Sequence, residues 1–303
     1  MVFFAPDWPL MLNKFIFEAL LQDDIIRLVW RKNIFHRGVF LMILIADNLN
    51  TRNKEYMAAL AAGDSGAISG MSRQLKQADA DIINLQCSLD GAGDEDKLPW
   101  VAEVVEKASD AALGLDSRNI EAIRKALAVA KKPCLINYVS GTEPEARQEL
   151  FELARRAKAY VVLRASAGSI PVTFEAKMQI LEELLEDANR ADIPNERIFM
   201  DPSLIHIARG GGQDHIMNFH ECVSSLQEAV DPPVGTIAWI SNISVGIKKK
   251  ASRKKLEAAT LLYLAGGGLD AAMVDLLDPE IRKALYFIKS FRDEIVFSPA
   301  LLD

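Results

Sequence analysis

The chain has 303 residues, 50% of them apolar and 25% charged, the balance of a water-soluble globular protein long enough to bury a large core. Lys and Arg total 35 against 42 Asp and Glu, and the formal net charge of -7 argues against a nucleic-acid binder with a basic contact face. The longest unbroken apolar run, Val39 to Ala46, is less than half of a bilayer span, so no transmembrane segment and no membrane role are predicted.

Residues 1–41 stand apart from the rest of the chain. They carry Trp8, Trp30 and several Phe residues, with a helical stretch around Leu12–Trp30. They read as an N-terminal helical extension, with Met42 as an alternative physiological start. Nothing at Met1–Asp7 resembles a secretory signal.

From Met42 short apolar runs alternate with longer amphipathic segments. Eight strand-like runs occur in order: Leu41–Ala46, Asp81–Leu85, Ala111–Leu115, Pro133–Ile136, Tyr160–Leu163, Ile198–Met200, Thr236–Ile240 and Ala271–Val274. Their continuous apolarity suits strands covered on both faces. Between them, Asn119–Ala130 places Ile120, Ile123, Ala126, Leu127 and Ala130 on one helical face, with Asn119 as a cap. Thr173–Ala191 does the same with Phe174, Met178, Leu181, Leu184 and Leu185. Lys255–Leu264 and Pro279–Ile295 are helical too, the latter with Pro in its first turn. Eight strand-then-helix units of about 33 residues each predict an α/β fold, a closed (β/α)8 TIM barrel over residues 42–303. An open doubly wound sheet would want a Gly-rich phosphate turn where Asp47-Asn48-Leu49-Asn50 stands.

In such a barrel the site lies where the strands end. Those ends are rich in Asp, Asn and Gln: Asp47, Asn48 and Asn50 after the first, Asn84 and Gln86 at the second, Asp116 after the third, Asn137 after the fourth, Asp201 after the sixth, Asn242 after the seventh. Arg164, after the fifth, is the one strong cation among them. Singly, Asp116 reads as a helix cap and Asp201 before Pro202 as a turn former; together they converge on one mouth. Carboxylates and amides supply paired acceptors and donors, which match a planar heterocycle carrying N–H and amino groups. No nucleophile–base pair is evident, which argues against covalent acyl transfer. Cys87, Cys134 and Cys222 are odd in number and lack C-x-x-C spacing, and the four histidines lack ligand spacing. The prediction is therefore no disulfide framework, no protein metal site and a cytoplasmic location.

These same segments resemble the pterin-binding methyltetrahydrofolate:corrinoid methyltransferases, whose barrel is shared with dihydropteroate synthase. The likeness rests on Ile43–Asn50 (ILIADNLN), Gly114–Asn119 (GLDSRN), Leu135–Asn137, Met200–Ile205 (MDPSLI), Gln213–His215 (QDH), Ser241–Ser244 (SNIS) and Gly268–Asp275 (GLDAAMVD). The resemblance implies a homodimeric barrel that transfers the N5-methyl group of methyltetrahydrofolate to the Co(I) centre of cobalamin carried by a corrinoid protein. Position by position, Asp116, Asn137 and Asp201 would bind the pterin, Asn50 would line the same pocket, and Asn242 would hydrogen-bond N5. The family's Asp and Asn on the second strand are Asn84 and Gln86 here. That departure keeps two alternatives open: a catalytically impaired pterin- or corrinoid-protein-binding module, and a methyltransferase for another C1 carrier.

Two further segments stand out. Lys248–Lys255 (KKKASRKK) holds six basic residues in eight beside the mouth, either a solvated face or an attractor for the folate glutamate tail or an acidic corrinoid protein. Arg209–Gln213 (RGGGQ) lacks the Lys-Ser/Thr of a phosphate loop and reads as a rim loop.

Overall fold

The structure is a computed structural model that describes residues 41–301; the predicted extension over residues 1–41 lies, but for Leu41, outside them. Eight parallel strands close into a barrel in sequence order. The strands are β1 (Ile43–Leu49), β2 (Ile82–Leu85), β3 (Ala112–Leu115), β4 (Leu135–Ser140), β5 (Tyr160–Arg164), β6 (Ile198–Asp201), β7 (Gly235–Trp239) and β8 (Ala271–Val274). The helices are α1 (Lys54–Ala62), α2 (Ser65–Gln77), α3 (Asp94–Ala108), α4 (Ile120–Val129), α5 (Pro144–Ala157), α6 (Phe174–Arg190), α7 (Gly212–Ala229), α8 (Lys250–Gly266) and α9 (Pro279–Phe291). The first unit thus carries two helices after its strand. Among the described residues no helix is long and apolar enough to cross a membrane.

Capping follows the sequence. Asn119 Oδ1 accepts from Ala122 N at 3.0 Å to start α4, and Thr173 Oγ1 accepts from Ala176 N at 3.3 Å to start α6. Asp278 caps α9 through Glu280 N, with Pro279 in the first turn. Helix α8 begins at Lys250, inside the basic run rather than after it. In the RGGGQ segment, Gly211 takes φ +76 and Gly212 already opens α7, so the glycines make a tight helix entry. The three cysteines are buried and unpaired.

Four strands run past their expected ends: β1 continues to Leu49, β4 to Ser140, β5 to Arg164 and β6 to Asp201, so Asp47, Asn137, Arg164 and Asp201 sit in strands, not in loops. β1 and β4 shift register at their polar residues, between Ala46 and Leu49 and between Ile136 and Val139. A polar residue ends an apolar run on paper, but a barrel strand can continue past it and carry the polar side chain inward at its mouth, even where the pairing register slips.

Strand alternation then decides what faces the barrel axis. Leu44, Ala46, Ile83, Leu85, Leu113, Leu115, Val161, Leu163, Ala238 and Val274 belong to the core cluster packed under the helices. The alternate positions Ile45, Ile82, Ala112, Leu135, Val162, Phe199 and Ile237 are equally buried but lie outside that cluster, and point inward. Two residues further along each strand, one layer higher, come Asp47, Asn84, Gly114, Asn137, Arg164, Asp201 and Trp239. One rule of period two carries an apolar plug into a polar rim.

Candidate active site

Asp116, two residues beyond Gly114, is the hub of the rim. Its Oδ2 accepts from Gln86 Nε2 at 2.9 Å and Asn84 Nδ2 at 3.3 Å. Asn84 Oδ1 in turn accepts from Asn137 Nδ2 at 3.3 Å, and Gln86 Oε1 accepts from Thr51 Oγ1 at 2.9 Å. Asn137 Nδ2 also lies 3.7 Å from Met273 Sδ across the barrel. Gly114 makes room for this chain: a Cβ there would meet Asn84 Oδ1 at 2.8 Å. Burial pushes the Asp116 carboxyl up to about 7, against the amide donors of Asn84 and Gln86 and with the negative charge of Asp47. Among the described residues its Oδ1 has no donor.

On the β5–β6 side, Arg164 Nε stands 3.6 Å from Asp201 Oδ2 and 3.3 Å from Ser203 Oγ, and its guanidinium lies over the Tyr138 ring at 4.5 Å from the centroid. Asp201 Oδ1 accepts the Ser203 N–H at 2.8 Å. Burial raises the Asp201 carboxyl, while Arg164, that N–H and Lys177 oppose the rise. Lys177 comes from α6 and is wholly buried; its ammonium donates to the carbonyls of Pro202 at 2.5 Å and Ser203 at 3.1 Å. Its pKa falls to about 8, chiefly by burial.

On the β7–β1 side, Asp47 Oδ2 accepts from Trp239 Nε1 at 2.7 Å, Arg52 Nη2 at 2.8 Å and Ser241 Oγ at 3.2 Å. Burial raises its pKa, and Arg52 is the main opposing influence.

A cleft of about 630 Å³ opens among these groups, within the range of small-molecule sites. Gln86, Asp116, Asn137, Tyr138, Arg164 and Trp239 form its inner wall. Of the site residues predicted from the sequence, Gln86, Asp116 and Asn137 line it. Asn84 stands behind them, bonded to two of the three. Asp201 reaches it through Arg164. Asn50 does not line it: its Nδ2 is spent on Asp47 O and Oδ1, and its Oδ1 on Arg52 N, closing the turn after β1. Asn242 sits in the short 3-10 turn Ile240–Ser244 after β7, half-buried and outside the lining, and among the described residues its side chain has no hydrogen-bond partner. Tyr138, Trp239 and Lys177 were not predicted as site residues. Counting two residues on from each inward apolar position finds Trp239; no pattern marks Lys177, whose role depends on the loop it happens to meet.

Residues 84–275 match the model of a family described as pterin binding enzyme, which is more than half of the chain. The chain belongs to the pterin binding enzyme family. Its matched segment starts at Asn84 and runs past β8, so it holds Asp116, Asn137, Asp201, Trp239 and Asn242, whereas Asp47, Asn50 and Arg52 precede it. A methylcorrinoid:tetrahydrofolate methyltransferase of Eubacterium limosum is 24% identical over 248 residues, 81% of this chain and 89% of that protein. Among solved structures, a Coxiella burnetii dihydropteroate synthase in complex with pteroic acid superposes with a TM-score of 0.62 at 13% identity, covering 86% of this chain and 96% of its own. Mycobacterium tuberculosis Rv1207 gives 0.58 at 17% identity, covering 87% and 96%. For this pterin binding enzyme, those two structures speak to the barrel alone.

Proposed function

We propose that this chain is a methyltransferase that moves a methyl group between N5 of tetrahydrofolate and a corrinoid carried by a partner protein, in the direction from methyltetrahydrofolate to Co(I). The observation that carries the reading is Asp116 at the cleft wall: one oxygen is held by two amides, and the other is open on the cleft side. A pterin presents an amino group and ring N–H donors along one edge, and a pre-held carboxylate is the partner that edge requires. Asn137 adds an amide that can donate or accept, and Arg164 with Asp201 closes the β5–β6 side. The Eubacterium limosum relative supports the reaction class, although its name gives the opposite direction of transfer. The same residues serve both directions, because they act on the pterin.

The difficulty lies in the leaving group. When the methyl departs without the electrons of its bond, N5 keeps the pair and takes a proton in its place. The half-buried Asn242 amide, without a hydrogen-bond partner among the described residues, is the group we assign to N5, where the hydrogen bond it donates strengthens as charge grows on the nitrogen, the proton itself coming from solvent. The corrinoid supplies the cobalt that exchanges the methyl group; the chain's own side chains bind the pterin, orient it and hold the site in place.

Calorimetric titration with methyltetrahydrofolate, followed by single-turnover transfer to Co(I) cobalamin, tests the proposal. Binding that weakens about ten- to hundredfold in Asp116→Asn, together with transfer in the unaltered chain, is expected. No binding at all defeats the reading, and binding without transfer leaves a pterin-binding module.

A further inference from the structure

Among the described residues, Trp239 is the one large aromatic side chain of the inward layer at the mouth whose orientation is locked by a buried partner. Position two beyond Ile237 points it to the barrel axis, and it lines the cleft while remaining half-exposed. In a closed ring of eight strands β7 lies opposite β3, and Trp239 and Asp116 line the same cleft from those two sides. Its orientation is set from behind. The indole N–H donates to Asp47 Oδ2 at 2.7 Å, and that carboxylate, whose side chain is 2% exposed, is clamped by Arg52, Ser241 and Asn50. Four donors on one buried carboxylate leave it little freedom to turn, and the N–H bond fixes the plane of the ring. Burying the Asp47 carboxylate, with only the half-exposed Arg52 as its counter-charge, is a costly way to hold an indole if the ring does no more than fill space, since an apolar neighbour would pack it as well.

From this we infer that Trp239 is the aromatic wall of the pterin site, a specificity-determining residue that presents a flat face to the bicyclic ring held at its edge by Asp116 and Asn137, and that Asp47 is its positioning residue. The inference rests on the pterin reading of this cleft. Aromatic stacking on a planar heterocycle contributes about 1–3 kcal/mol, an affinity factor of about 5 to 150. The face matters more than the N–H, so phenylalanine replaces most of it and alanine none.

The test uses the full chain, methyltetrahydrofolate and tryptophan emission read beside calorimetric affinity. Trp8, Trp30 and Trp100 remain in every variant as an internal background. In the unaltered chain, binding is expected to quench emission. Trp239→Phe should lose that quench yet stay within about threefold in affinity, and Trp239→Ala should bind about 5 to 150 times more weakly. Asp47→Asn should shift the Trp239 emission to longer wavelength and reduce the quench, because a neutral amide loosens the clamp. Far-ultraviolet circular dichroism identifies any variant that has not folded, and Trp239→Phe then carries the decision through its quench. Unchanged affinity in Trp239→Ala, or a full quench in Trp239→Phe, overturns the inference while an Asp116-dependent affinity leaves the pterin reading intact. No binding in the unaltered chain removes both.

Discussion

Asp116 shows how one side chain can serve a ligand at the expense of the fold. Its carboxyl, raised by burial to about 7, is a charged, donor-free acceptor for a pterin's N–H groups only when ionised; protonated, it accepts more weakly and presents an O–H of its own. Methyltetrahydrofolate affinity is therefore expected to fall about tenfold for each pH unit below 7 and to level off above it, a profile that calorimetry between pH 5 and pH 8.5 reads directly. Stability runs the other way. A folded pKa above the unfolded value means that the group's stabilising influence is full below about 4 and is lost as the pH rises through about 7. Asp116→Asn should therefore raise the melting temperature at pH 8 and leave it nearly unchanged at pH 4 while binding suffers at pH 8; a lower melting temperature at pH 8 would contradict a buried charge. Asn242 poses a different test. Because its bond to N5 is proposed to tighten during transfer, Asn242→Ala should slow the single-turnover rate about a hundredfold and change affinity no more than about twofold. Equal losses in both would assign it to binding alone.

At the scale of an element, the rim is a property of strands. Each inward polar residue comes two places after an inward apolar one, so the site inherits the rigidity of the ladder. Gly114 on β3 is where that order is most exposed to change. In Gly114→Ala the new Cβ would press on Asn84 Oδ1 at 2.8 Å and its Cα at 3.2 Å, and Asn84 cannot yield without releasing Asp116 and Asn137. The expected outcome is a loss of about 1–3 kcal/mol in stability and a weaker pterin complex, measured by chemical denaturation and titration. Helix α6 acts on β6 in a similar way. Lys177 ties the carbonyls of Pro202 and Ser203 to the helix, and so holds the turn whose N–H caps Asp201.

For the molecule as a whole, the basic segment matters as a field. Lys248, Lys249, Lys250 and Lys255 are exposed at the α8 entry, whereas Lys254 is turned in to Glu257 at 2.9 Å and Asp275 at 3.1 Å. On a chain of net charge -7, such a local reversal of sign steers an acidic partner. Replacing Lys248, Lys249 and Lys250 with Glu should slow transfer to an acidic corrinoid protein about tenfold at low ionic strength, with little effect at high ionic strength or on methyltetrahydrofolate affinity. A rate unaffected at low salt would place the partner elsewhere.

The barrel was legible along the chain because burial on both faces makes every strand an apolar run, and because Asn119, Thr173 and Pro279 mark helix starts by local hydrogen bonding and fixed φ. Gln86, Asp116 and Asn137 were legible as site residues for a related reason: polar residues directly after such runs have the mouth as their destination. Local pattern could not say which rim residues face the cleft. Asn50 is drawn into its own turn, Asn84 supports from behind, and Trp239 looks like one more apolar strand residue until closure of the ring sets it opposite Asp116. Spacing along one strand is a local property, whereas the meeting of β7 with Asp47 or of α6 with the β6 turn joins residues far apart in the chain, and packing alone brings those together.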